Sequence, residues 1–237
     1  MSGSTPADIG RSILIVGASR GLGQAMAAEF AGRGWAVLGT VRTAGTPLHG
    51  LAAERPESVE IETLDLTDHD QMLALRDRLS GRRFDVVFIN AGIVNRTPSD
   101  TMASVSTDEF VRVMVTNVLG VARAVEAFGP LARPGGVIGV MSSGQGSITN
   151  NANGVNDVYR ASKAALNQAM SSYAGRHTND GPAMVLMAPG WIRTEMGGPG
   201  APSGVEDAMP QIVDVLIAQL GTPGLRFLDR HGQAVPW

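Results

Sequence analysis

The 237 residues contain no cysteine. Disulfides, thiolate metal ligands and a cysteine nucleophile are excluded together. Histidine is scarce too: His49, His69, His177 and His231 lie too far apart for a local zinc motif, and no metal site is expected. Charge is sparse and nearly balanced, with 19 Lys+Arg against 22 Asp+Glu and a formal net charge of −3. No basic cluster stands out, so neither nucleic acid nor an anionic membrane surface is an expected partner. No run approaches 18 consecutive apolar residues, so no membrane span is expected. Met1–Gly10 lacks the basic head and apolar core of a signal peptide. The expectation is a flexible tail over 1–11, one domain over 12–237, and a cytoplasmic protein.

What is present is apolar and rich in turns, at 43% hydrophobic residues and 30 glycines. Short apolar runs alternate with helix-period segments along the whole chain. Ser12–Val16, Trp35–Val41, Val59–Leu64, Phe84–Ile89, Gly136–Met141, Ala183–Met187 and a stretch near Arg226–Leu228 read as strands. Helices are expected over Leu22–Arg33, Asp68–Leu79, Thr107–Phe128, Asp157–Ala174 and Val205–Leu220. Ser106 and Glu109 read as a capping box, with the Glu reaching back to its cap. Residues 42–58 read as a loop. This alternation implies right-handed βαβ units: a single-domain, doubly wound α/β fold with about seven mostly parallel strands. Ligands then bind beyond the carboxyl ends of the strands, where strand order reverses.

Gly17-Ala-Ser-Arg-Gly21-Leu-Gly23 lies between the first strand and the first helix. Glycines there allow close backbone approach, and the helix N-terminus offers unpaired N–H groups to a phosphate. A turn needing glycine for its geometry alone is the plainer alternative. Tyr159 and Lys163 stand four residues apart, one helical turn, on one face. A cation beside a phenol stabilises the phenolate, so such a tyrosine can pass a proton to or from a carbonyl oxygen. The alternative is a solvated surface pair. Ser142 and Ser143 end the fifth strand, where a hydroxyl can come beside that phenol. Asn117 stands inside an apolar helix, where it can also simply bond nearby backbone.

Together these residues resemble the short-chain dehydrogenase/reductase family over nearly the whole chain. Asn90-Ala91-Gly92 is similar to the family's N-A-G segment, and Pro189-Gly190 with Thr194 to its nicotinamide-contacting segment. Asn117, Ser143, Tyr159 and Lys163 match its catalytic tetrad in order, with Ser142 the alternative to Ser143. The resemblance implies cofactor contacts from Gly17, Ser19, Arg20, Gly21, Leu22 and Gly23 in the turn. It also implies them from Asp65 and Leu66, from Asn90, Ala91 and Gly92, from Tyr159 and Lys163, and from Pro189, Gly190, Ile192 and Thr194. The long interval between Ser143 and Tyr159 resembles the branch of the bacterial C-factor signalling proteins and related carbonyl reductases.

The implied activity is hydride transfer between nicotinamide and a carbonyl or alcohol, with Tyr159 as acid and Ser143 bonding the substrate oxygen. Lys163 is expected to hold the nicotinamide ribose and depress the Tyr159 pKa, and Asn117 to fix Lys163 and a relay water. A dinucleotide-binding regulator with vestigial catalysis is the competing reading. Val41 stands where an NAD-preferring member carries Asp, and Arg42 follows. With Arg20, it makes NADP(H) the expected cofactor, two solvated arginines being the alternative. The apolar arc over Thr107–Phe128 is wider than one buried face requires, which implies a homodimer or homotetramer.

Overall fold

A computed structural model describes residues 10–177 and 181–237; most of the expected tail, residues 1–9, lies outside them. Seven parallel strands form one sheet in the order β3-β2-β1-β4-β5-β6-β7. They are β1 (Ser12–Val16), β2 (Ala36–Val41), β3 (Val59–Thr63), β4 (Phe84–Ile89), β5 (Ala132–Met141), β6 (Ala183–Ala188) and β7 (Gly224–Asp229). The helices are α1 (Gly21–Gly32), α2 (Pro47–Glu54), α3 (His69–Arg78), α4 (Thr107–Met114), α5 (Val121–Phe128), α6 (Asp157–Arg176) and α7 (Val205–Ala218).

The strands read as unbroken apolar runs because both faces of the sheet are covered. Ile13 and Ile15 point into one core with Phe30, Trp35 and Ile212, whereas Leu14 and Val16 point into the other with Met72, Phe128 and Leu166. Strand order reverses between β1 and β4, and the glycine turn and Asn90–Gly92 leave the sheet there side by side. Among the described residues, no helix is long and apolar enough to cross a membrane.

Three expectations need correction. Residues 47–54 are helical, not loop: Pro47 opens the first turn, His49 Nδ1 accepts the Thr46 amide at 3.2 Å, and buried Leu48 packs over Gly39. The long helix over Thr107–Phe128 is interrupted by a π-helical segment, Val115–Gly120, that contains Asn117. Glu109 does not reach back to Ser106. Ser106 Oγ accepts the Glu109 amide at 3.3 Å, while the Glu109 carboxylate takes the Arg96 amide at 2.7 Å and pairs with Arg112. These bonds hold the carboxyl down at about 2, the Arg112 hydrogen bond contributing most. Glu109 thereby ties α4 to the loop that follows Gly92.

Candidate active site

The glycine turn is built for close approach. Gly17 has φ +92°, and a Cβ there would lie 2.9 Å from Ala91. A Cβ on Gly23 would collide with the Gly17 carbonyl and with Asn90, whose Nδ2 donates to that carbonyl at 2.8 Å. Gly21 differs: its φ is +57° and its Cβ position faces open space. No side chain caps the first turn of α1. Uncapped N–H groups beside an open glycine fit a phosphate. Ser19 and Leu22 are half-buried in the same turn.

Arg42 follows β2, exposed and without a hydrogen bond among the described residues; its charge reaches Asp65. Asp65 sits below the usual carboxylate range chiefly because its Oδ1 accepts the Thr67 amide at 2.9 Å. Arg20 pairs instead with Glu195, beyond β6, at 2.6 Å. Both side chains stay largely exposed, 65% and 73%, so the pair is weak and leaves the guanidinium's other donors free. Leu66 and Ile192 bury their side chains in the core, so what they offer a ligand is main chain. Gly190 has φ +87°, and Thr194 Oγ1 accepts the Gly197 amide at 3.0 Å.

The candidate side chains converge from three elements. Lys163 is 2% exposed, its Nζ donating to the Met141 carbonyl at 2.9 Å and lying 5.7 Å from the Tyr159 ring centre. Burial pulls the ammonium down to about 8. A Cβ on Gly92 would stand 3.4 Å from Lys163 Nζ and 3.5 Å from Asn117 Oδ1, so these three line one space. Burial pushes the Tyr159 phenol up to about 12, with the Ser143 hydroxyl working the other way. Lys163 therefore does not depress the resting phenol as expected; burial decides. Ser142 is buried and donates to Asn167 Oδ1 at 2.6 Å, which leaves Ser143 as the serine facing Tyr159.

Asn117 is joined to the backbone and to α6, not to Lys163. Its Oδ1 accepts the Ile93 amide at 2.8 Å, and its Nδ2 donates to the Ile93 carbonyl at 2.8 Å and Ser162 Oγ at 3.0 Å. Ser162 in turn donates to the Tyr159 carbonyl at 2.7 Å. Sequence reading missed Ser162; its one signal is a serine three residues after the tyrosine, pointing inward on the same helix.

The short chain dehydrogenase family model matches residues 11–202. The chain is a short-chain dehydrogenase. Its solved relatives agree over nearly its full length. A Burkholderia multivorans protein described as a short-chain dehydrogenase/reductase, with bound NADP, is 54% identical at a TM-score of 0.94, covering 96% of this chain and 99% of that one. A Pseudomonas aeruginosa PAO1 carbonyl reductase in complex with NADP is 34% identical at 0.88, covering 96% and 99%. This short-chain dehydrogenase is also 33% identical to the C-signal of Myxococcus xanthus over 65% of its own length and 92% of that protein. The Arabidopsis thaliana NADPH-dependent pterin aldehyde reductase is 33% identical over 78% of this chain and 76% of that one.

Proposed function

We propose that this short-chain dehydrogenase is an NADP(H)-dependent carbonyl reductase. The observation that carries the reading is the Tyr159 phenol facing the Ser143 hydroxyl, with the Lys163 ammonium buried beside the ring. The NADP-bound relatives and the pterin aldehyde reductase support the same cofactor and reaction class. The glycine turn would hold the pyrophosphate, Arg42 and Arg20 the adenosine phosphate, and Asp65, Leu66 and Asn90–Gly92 the adenosine side. Pro189, Gly190, Ile192 and Thr194 would hold the nicotinamide amide. When bound there, NADPH supplies the hydride.

The protein's own part is proton transfer and orientation. A phenol near 12 is fully protonated at neutral pH, so Tyr159 is ready to donate to the carbonyl oxygen. Ser143 bonds that oxygen and aims it. Lys163, mostly charged at pH 7, faces the phenolate left after transfer and would hold the nicotinamide ribose. Asn117 fixes the Ile93 backbone and, through Ser162, the helix that carries Tyr159. A complete tetrad in one space supports catalysis over the regulatory alternative.

Met102, Ile148, Val155, Trp191 and Met196 are exposed on the three loops beyond β4, β5 and β6. Apolar and aromatic aldehydes and ketones should turn over with NADPH in a spectrophotometric screen; no turnover of any carbonyl with either reduced nicotinamide would remove the reading. We further propose a homodimer or homotetramer through α4–α5 and α6, on the exposed Val111 and Leu119. Light scattering at micromolar concentration should give a multiple of 24.7 kDa, and a monomer mass would count against it.

A further inference from the structure

After β7 the chain doubles back on itself. Leu228 bridges Ala234 in antiparallel sense, Val235 donates its amide to the Phe227 carbonyl at 2.8 Å, and Asp229 Oδ1 accepts the amides of His231 and Gln233. The tip and the end of this hairpin reach two different loops of the site.

At the tip, Arg230 Nη1 donates to the Pro189 carbonyl at 3.1 Å and Nη2 to Ser203 Oγ at 3.0 Å. One guanidinium thus joins the beginning of the loop after β6 to its end, and that loop carries Thr194 and Glu195. It is seated directly against Gly190, where a Cβ would stand 2.7 Å from Nη1. At the far end, the main-chain oxygen of Trp237 accepts from the Ile148 amide at 2.7 Å, Ser147 Oγ at 3.1 Å and the Thr149 amide at 3.3 Å. These three donors follow directly on the Ser143–Gly146 turn. The Trp237 ring anchors this contact by packing on Phe227, ring centres 5.4 Å apart.

We propose that the hairpin over 224–237 is a brace that positions both halves of the reaction. Arg230 is the positioning residue for the nicotinamide-side loop, and Trp237 for the loop that presents Ser143 to the carbonyl. A long loop held at one end only samples many arrangements, and each fixed cross-connection removes part of that freedom before a ligand arrives. The Arg230 bonds carry a full charge, so they are stronger than neutral ones. The Trp237 contact gathers three donors on one acceptor. The substrate half of the proposal rests on the carbonyl-reductase reading; the cofactor half and the loop order do not.

The test compares the unmodified protein with Arg230→Met and with a variant lacking Trp237. It measures NADPH affinity by the enhancement of cofactor fluorescence, kcat and KM for a carbonyl, and amide hydrogen exchange. Arg230→Met should weaken NADPH by about tenfold, as expected for losing charge-assisted hydrogen bonds, and leave carbonyl KM at saturating NADPH within about twofold. Removing Trp237 should speed exchange at Ile148 and Thr149 and raise carbonyl KM by about tenfold, with NADPH affinity unchanged. Should Arg230→Met fail to fold, Ser203→Ala removes only the Nη2 contact and must shift NADPH affinity in the same direction. A lower melting temperature with both constants unchanged would make the hairpin merely structural, and equal movement of both constants by each variant would also overturn the division. If the unmodified protein turned over no carbonyl, the function reading would fall, while cofactor affinity and exchange would still decide the brace.

Discussion

Replacing Tyr159 by phenylalanine is expected to cut carbonyl reduction by about 10³-fold, within the range for removing a positioned acid. The substitution deletes one oxygen and keeps the ring. Lys163 therefore keeps its neighbour at 5.7 Å from the ring centre, and Val158 and Ser162 on either side stay buried. What disappears is the proton that neutralises the developing alkoxide, together with the group facing Ser143. NADPH affinity should stay within about twofold, because the glycine turn, Arg42 and the loop after β6 are untouched. Single-turnover kinetics against a fluorescence titration separate the two effects. Retention of most of the turnover would show that another group is the acid.

Arg42→Asp is expected to reverse the cofactor preference. NADP and NAD differ by one phosphate on the adenosine ribose, and Arg42 is exposed at the end of β2 without a hydrogen bond among the described residues. Losing one charge-assisted hydrogen bond to a phosphate costs about 1.5–3 kcal/mol, and a carboxylate in its place adds repulsion. The new charge would also stand beside Asp65, whose carboxylate already feels the Arg42 charge. The kcat/KM for NADPH should fall by about a hundredfold relative to that for NADH. Arg20 remains to hold part of the phosphate, so NADPH binding should weaken rather than vanish. Equal kcat/KM for the two cofactors in the unmodified protein would defeat the charge argument.

Strands were legible because a strand covered on both faces reads as a run such as FDVVFI, whose observed bounds are Phe84–Ile89. Helix α2 was hidden for the opposite reason: Leu48 is its one buried residue, too little to give a period. The four candidate residues were picked out by their types and order; the structure brings Lys163 and Asn117 to one space beside Gly92, and Ser143 to Tyr159. Their partners were not legible. Arg20 meets Glu195 across 175 positions, and Arg230 meets Pro189 across 41, separations that no local pattern encodes. The protonation of Tyr159 was misread because i,i+4 spacing reports the nearby cation but not the enclosure that outweighs it.

The π-helical segment at Val115–Gly120 settles a matter of rotation. Glu109, Val113, Asn117, Val121 and Val125 are all buried at intervals of four residues. In a regular α-helix each such step turns about 40° past a full circle, so five positions would sweep about 160°, from the core out to water. The wider turn at 115–120 absorbs a surplus residue and brings the line back to one side. Deleting one residue there would restore a regular helix in which Val113 and Val121 stand seven steps apart, about 20° short of two full turns and still on one side. Val121 and Val125 would keep the core, while Asn117 between them would turn about 40–60° off that line and away from Ile93 and Ser162. The extra residue thus serves the asparagine rather than the stripe: the valines could line one side of a regular helix without it, but Asn117 could not join them there.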